Sequence, residues 1–461
     1  MSANTTPYTQ WPATYEAPLE LTTNATDDPL GIERPPSLAR KAVEAALYIT
    51  LFNSTFMFTT GSAFIPGLGG LLLLVAGGIG LTIQLAQGER LPISFWFAAA
   101  MTLAANVSQS LNGQPPIFGE GLRSFLFWSF QLLMVCYLIR NEATEKRMLV
   151  FMTLLVIAAV WMGGEFYGRK DNRLRLEQYS VGASFGNANQ LATLSGLFAV
   201  SFLFWSLRAL KSIRRAWMAP VLWILAATLV MILFRTASRS GVLLFACGMA
   251  MLAITILLGR GVRLAGIVVV GVVLVAASHL SLMLADSIEV LEYRAGLGSR
   301  RQDVYHIQTL YDMWDTALVG RGPSRAQVSA AGITAHNSFI YTNVAFGGIT
   351  AVILLAWVLT LGWRLLRMLV SSELPLDRRL FVATMAGMAL GDMVFANQAY
   401  MHLSVLYAIG IIEKYTSAYS RRMIAQRRQA GEYAAFGGEG DLGWSDFGVS
   451  DPLSIRQVAR W

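Results

Sequence analysis

Long apolar runs alternate with short charged stretches along most of the chain. A hydrocarbon layer about 30 Å thick takes about 20 residues of helix to cross. Runs of that kind predict twelve spans, at roughly 43–60, 67–85, 92–108, 123–139, 148–163, 188–206, 218–234, 240–258, 262–284, 337–361, 380–396 and 399–415. Small residues recur inside them, as at Gly77, Gly78 and Gly80, and let helix backbones approach closely in lipid. The longest soluble stretch between spans is 285–336. Within it Val304, Ile307, Tyr311, Trp314 and Leu318 recur at spacings of three and four, which predicts an amphipathic helix on the bundle or at the membrane interface. Gly320-Arg321-Gly322-Pro323 stops it. The predicted fold class is all-α: a polytopic membrane helical bundle of about twelve transmembrane helices over residues 42–416, with the loop 285–336 outside the membrane. Residues 1–41 and 417–461 read as tails.

Composition strengthens this picture. The 461 residues are 55% hydrophobic and 14% charged, where a soluble protein carries about 25% charged residues. The length therefore reads as one membrane domain rather than two or three soluble ones. Cys136 and Cys247 sit in separate apolar runs and make neither a disulfide framework nor a metal site. The first 33 residues hold Glu16, Glu20, Asp27, Asp28 and Glu33 and no Lys or Arg, which predicts a disordered tail rather than a signal peptide. Residues 417–430 are strongly basic and are expected to lie against anionic lipid headgroups. The expected partner from composition is the bilayer, with no nucleic acid.

Charge orients the bundle. Of 36 basic residues, 24 fall in alternate loops and the C-terminal tail. They include Lys41, Arg90, Arg147, Arg208, Lys211, Arg260, Arg364 and Arg378. The positive-inside rule assigns this set and both termini to the cytoplasm. The remaining basic residues, Arg123 apart, cluster in three outer segments. Arg169, Lys170, Arg173 and Arg175 follow span five, Arg235 and Arg239 flank the tight turn after span seven, and Arg294, Arg300, Arg301, Arg321 and Arg325 follow span nine. Cations in outer loops oppose the topology signal, which points to a function. The bland alternative is ordinary loop ion pairing, since the same loops also carry acids. His336, where the loop re-enters the membrane, can serve as a base near neutral pH; its bland alternative is a helix cap. His306 reads as surface, and His279 and His402 as packing residues within spans. Asp392 is an intramembrane acid, functional by default unless a polar neighbour merely pairs with it.

Three stretches together resemble the O-antigen ligase and O-antigen polymerase superfamily. Gly182-Ala183-Ser184-Phe185-Gly186-Asn187-Ala188-Asn189-Gln190-Leu191-Ala192 looks like its Gly-x-Phe-x-Asn-x-Asn-x-Leu-Ala segment. Thr236-Ala237-Ser238-Arg239-Ser240-Gly241 looks like its Thr-x-Ser-Arg turn. Arg300 and Arg301, Trp314, Gly320-Arg321-Gly322 and Ala335-His336-Asn337-Ser338-Phe339 look like its Arg…Trp…Gly-x-Gly…His-Asn loop. The matched region is roughly 175–360. The family often carries an arginine just before the first motif's glycine; here Tyr179 and Ser180 stand there, and Arg175 is the nearest cation.

The resemblance implies a glycosyltransferase acting on the periplasmic face. Its donor is a glycan on undecaprenyl diphosphate, its acceptor a hydroxyl of another glycan or of lipid A–core, and it uses no cofactor and no metal. Arg239 and His336 become the expected catalytic residues and Arg175, Arg300, Arg301 and Arg321 the diphosphate-binding ones, with Asn189, Ser238 and Asn337 in support. Ligase, polymerase and protein O-oligosaccharyltransferase share this chemistry, and the acceptor stays open between them. A transporter or flippase of lipid-linked sugar is the reading from a different class.

Overall fold

In a computed structural model of the chain, residues 38–60, 68–86, 91–111, 120–139, 142–168, 174–178, 188–258, 318–320, 337–370, 374–395 and 402–417 are described. Five helices come first: α1 (Leu38–Thr60), α2 (Leu68–Ala86), α3 (Ile93–Leu111), α4 (Glu120–Ile139) and α5 (Glu142–Gly163). A hairpin, β1 (Gly164–Gly168) with β2 (Leu174–Gln178), follows. Then come α6 (Ala188–Leu210), α7 (Met218–Arg235), α8 (Arg239–Leu258), α9 (Ser338–Val370), α10 (Leu376–Phe395) and α11 (403–417). Eleven of the twelve predicted runs coincide with these helices, and the run at 262–284 lies outside the described residues. Among the described residues the hairpin is the one strand element.

Among the described residues four helices, at Asn189–Leu210, Met218–Arg235, Arg239–Leu258 and Ser338–Val370, are long and apolar enough to cross a membrane. The molecule is thus a helical membrane protein. Its apolar surface follows helical spacing: on α9, Ile349, Val352, Leu359, Trp363, Leu366 and Val370 are exposed along one stripe, the face a membrane helix turns to lipid. α6 is the exception, with 94% of its apolar window buried against 28% for α7 and 33% for α8. It is the central post, packed chiefly on α7 and α8. Where α6 and α8 cross, a Cβ on Gly241 would overlap Ala192 and one on Gly248 would press on Val200 and Met388. Only glycine lets the two backbones come this close.

Ion pairs fix which helix ends lie together. Arg147 binds Glu44 at 2.9 Å, Arg208 meets Glu142 at 3.8 Å, Lys211 meets Asp377 at 3.1 Å, and Lys414 binds Glu145 at 2.7 Å. The start of α1, α5 and α10 and the end of α6 and α11 therefore share one end of the bundle, the basic end. Ser94, early in α3, joins it through Glu413, whose Oε1 accepts from Ser94 Oγ at 2.6 Å. Exposed Trp96, Trp217 and Trp363 stand toward this end and exposed Trp161 toward the other, where interfacial aromatics belong.

α9 corrects the predicted span 337–361. The helix runs to Val370 but breaks at Gly347, which takes φ 85° and ψ 167°. The part after the break covers about 34 Å at about 1.5 Å per residue, enough for a full crossing. The part before it is a short segment buried at the far end of the bundle, including Tyr341, Thr342, Asn343 and Phe346.

Candidate functional site

The helix starts at the far end, opposite the basic one, define the candidate site. α7 and α8 are joined by three residues only. Thr236 Oγ1 donates back to the Leu233 carbonyl at 2.6 Å, and Ala237 adopts φ 48°. Ser238 caps α8, its Oγ accepting from the Gly241 N–H at 3.3 Å, the usual way a serine satisfies a free helix-start donor. The same hydroxyl donates to Asn189 Oδ1 at 2.9 Å. Thr236, Ala237 and Ser238 are buried, while Arg235 and Arg239 on either side are exposed. The turn is thereby pinned to the first turn of α6, and its two guanidinium groups stand at the rim.

The electrostatics favour an anion here. α6, α8, α9 and α11 all begin at this end, and a helix N-terminus carries about half a positive charge. The C-terminus of α7 carries the opposite partial charge, and Arg235 in its last turn meets it.

Two of the expected supporting residues, Asn189 and Ser238, come together in one hydrogen bond beside Arg239. Asn337 is the cap of α9: its Oδ1 accepts from Phe339 N–H at 3.0 Å and Ile340 N–H at 3.2 Å. Arg175 lies on β2 opposite Tyr167, and β2 packs against α6 and α7. His336, Arg300, Arg301 and Arg321 lie outside the described residues, as do His279, His306 and the amphipathic segment 304–317. Gly320, the residue before Arg321, is described. It takes φ 71°, and a Cβ on it would strike the backbone of Ala345 and Gly347. A Cβ on Gly347 would in turn strike the Leu318 and Val319 backbone. The 318–320 turn is seated in the break of α9, and Ser108 Oγ donates to the Val319 carbonyl from the α3 side.

A further cluster adjoins the site. His402 Nδ1 and Asp392 Oδ2 are 3.1 Å apart, Ser404 Oγ donates to the same Oδ2 at 3.0 Å, and His402 Nε2 lies 2.6 Å from Gln190 Nε2. His402 does pack within the bundle and Asp392 does pair with a neighbour, as their bland readings allow. The signal that links them to the site is Gln190, next to Asn189 in the first motif. No protein-family model matches this chain, and no curated protein matches it.

Proposed function

We propose that this chain is a membrane glycosyltransferase that moves a glycan from undecaprenyl diphosphate to an acceptor hydroxyl on the periplasmic face of a bacterial inner membrane. The favoured form is the O-antigen ligase type with lipid A–core as acceptor; a polymerase of lipid-linked repeats or a protein O-oligosaccharyltransferase would run the same chemistry. The twelve-span frame with cytoplasmic termini belongs to the same proposal. The observation that carries it is the Asn189–Ser238 bond, which joins two of the three motifs beside the exposed Arg239.

The chemistry follows from the leaving group. As the acceptor oxygen bonds to the anomeric carbon, the carbon–oxygen bond to the diphosphate breaks and the diphosphate departs with the electron pair. Charge builds on it, and guanidinium groups match phosphate oxygens bidentately. Arg239 is the principal donor, with Arg175, Arg300, Arg301 and Arg321 as further ones. His336 takes the acceptor proton. One direct displacement inverts the anomeric configuration.

The test is a reconstituted assay with a lipid-linked donor, reading release of undecaprenyl diphosphate. Arg239→Ala is expected to lower turnover by about 10²–10³-fold, and His336→Ala by about 10²–10⁴-fold. Near-normal release by either folded, inserted variant overturns its assignment. One observation favours a transporter instead: α9 is a broken helix, and broken helices are common in transporters. Movement of the donor across vesicles without release of undecaprenyl diphosphate would establish that reading.

A further inference from the structure

A hydrogen-bonded seam of side chains links four helices at the far end. Asp392 ends the seam on α10, 1% exposed, and His402, 5% exposed, stands where α11 begins. Asp392 Oδ2 faces His402 Nδ1 at 3.1 Å and accepts from Ser404 Oγ at 3.0 Å. On the other side of the ring, Gln190 Nε2 lies 2.6 Å from His402 Nε2. An amide nitrogen only donates, so His402 Nε2 is the acceptor and the ring proton sits on Nδ1, toward Asp392. The carboxylate thus selects the tautomer that can hold Gln190.

Gln190 and Asn189 share the first turn of α6, and Asn189 holds the Ser238 hydroxyl that caps α8 just before Arg239. The geometry points to His402 as a positioning residue for the diphosphate-binding arginine: fixed by Asp392, it clamps Gln190 and with it the α6 start on which the Ser238–Arg239 turn rests. The clamp deepens the proposed function and rests on it. Neither His402 nor Asp392 touches the donor; they act through Gln190 and Asn189.

The ring's two nitrogens allow a discriminating experiment. In His402→Gln the longer amide reaches the Nε2 position and keeps the bond to Gln190. In His402→Asn the shorter amide takes the Nδ1 position and keeps only the bond to Asp392. Binding of farnesyl diphosphate to the full chain in detergent is measured, together with the melting temperature. His402→Gln is expected to bind within about threefold of the parent. His402→Asn and the milder Gln190→Ala are expected to weaken binding about tenfold, the order of one lost hydrogen bond. A purely structural role would lower the melting temperature and the affinity of both His402 variants alike, and that result overturns the clamp. The cycle with Arg239→Ala gives a second reading: Gln190→Ala should add nothing in that background, since coupled residues are not additive. Additive losses, or parent-like binding by Gln190→Ala and His402→Asn while Arg239→Ala is impaired, overturn the clamp and leave the glycosyltransferase reading intact. Unchanged binding by Arg239→Ala overturns both.

Discussion

At the scale of single residues, backbone strain and paired charge sit at opposite ends of the bundle. Ala237 holds φ 48° in the buried α7–α8 turn, a conformation that costs a side chain about 1–2 kcal/mol. Replacing it with glycine relieves that cost, so Ala237→Gly should raise unfolding stability by up to about 1 kcal/mol, read as a higher melting temperature in detergent. The same change frees the turn, and donor turnover should fall as stability rises. At the basic end, burial pushes the Asp377 carboxyl up, but the charge and hydrogen bond of Lys211, with Arg208 and Arg378, outweigh burial and hold it below the usual carboxylate range. Glu142 is lowered in the same way, burial being outweighed by Arg208, Lys146 and Lys414. A carboxylate whose folded pKa is lowered contributes stability that is present above its unfolded value and lost as pH falls through the folded one. Melting temperature should therefore drop as pH falls below about 4. In Asp377→Asn with Glu142→Gln that acid limb should be shallower and the neutral-pH stability lower. An unaltered acid limb in the double variant would contradict the assignment.

At the scale of elements, the break in α9 ties the outer turn to the membrane helix. Gly347 at φ 85° and Gly320 at φ 71° meet backbone to backbone, so neither position has room for a Cβ. Gly347→Ala should cost at least about 1–3 kcal/mol and should lower turnover by displacing the segment that leads into Arg321; a parent-like melting curve would refute the seating of 318–320. Hydropathy located the helices well, since length and apolarity alone define a span, and eleven of the predicted runs coincide with helices. It did not locate the break, although Gly347-Gly348 is a breaker doublet within the run, because a run of apolar residues reads the same whether straight or kinked. The hairpin escaped for a different reason. Leu174-Arg175-Leu176-Glu177 does alternate apolar and polar positions, but Gly164-Glu165-Phe166-Tyr167-Gly168 does not, and so short a signal is overshadowed by the long apolar runs on either side. Asn189, Ser238 and Arg239 were legible from short motifs. The union of Asp392 with His402 and Gln190 was not, since it depends on how α6, α10 and α11 dock rather than on any spacing along the chain.

At the scale of the whole molecule, the separation of charge between the two ends yields an orientation. The basic end gathers Lys211, Arg214, Arg215, Arg378 and Lys414, with carboxylates from Glu44, Glu142, Glu145 and Asp377 bound among them. The far end carries Arg235 and Arg239 beside helix starts. Loops rich in Lys and Arg stay on the cytoplasmic side because moving them across the membrane is unfavourable, so the basic end should face inward and the Arg239 end outward. Thiol labelling reads this directly. Cys136 is buried, while Cys247 is exposed on α8 and is replaced by Ser to clear the background. A cysteine at Arg214, in the exposed α6–α7 turn, should resist a membrane-impermeant maleimide in intact cells and react after lysis. A cysteine at Arg235, exposed at the end of α7, should react in intact cells once the outer envelope is permeabilised. The opposite pattern would turn the bundle over and bring the candidate site to the cytoplasm. Its arginines would then obey the ordinary charge rule, and a phosphate-bearing donor on the outer face would no longer account for them.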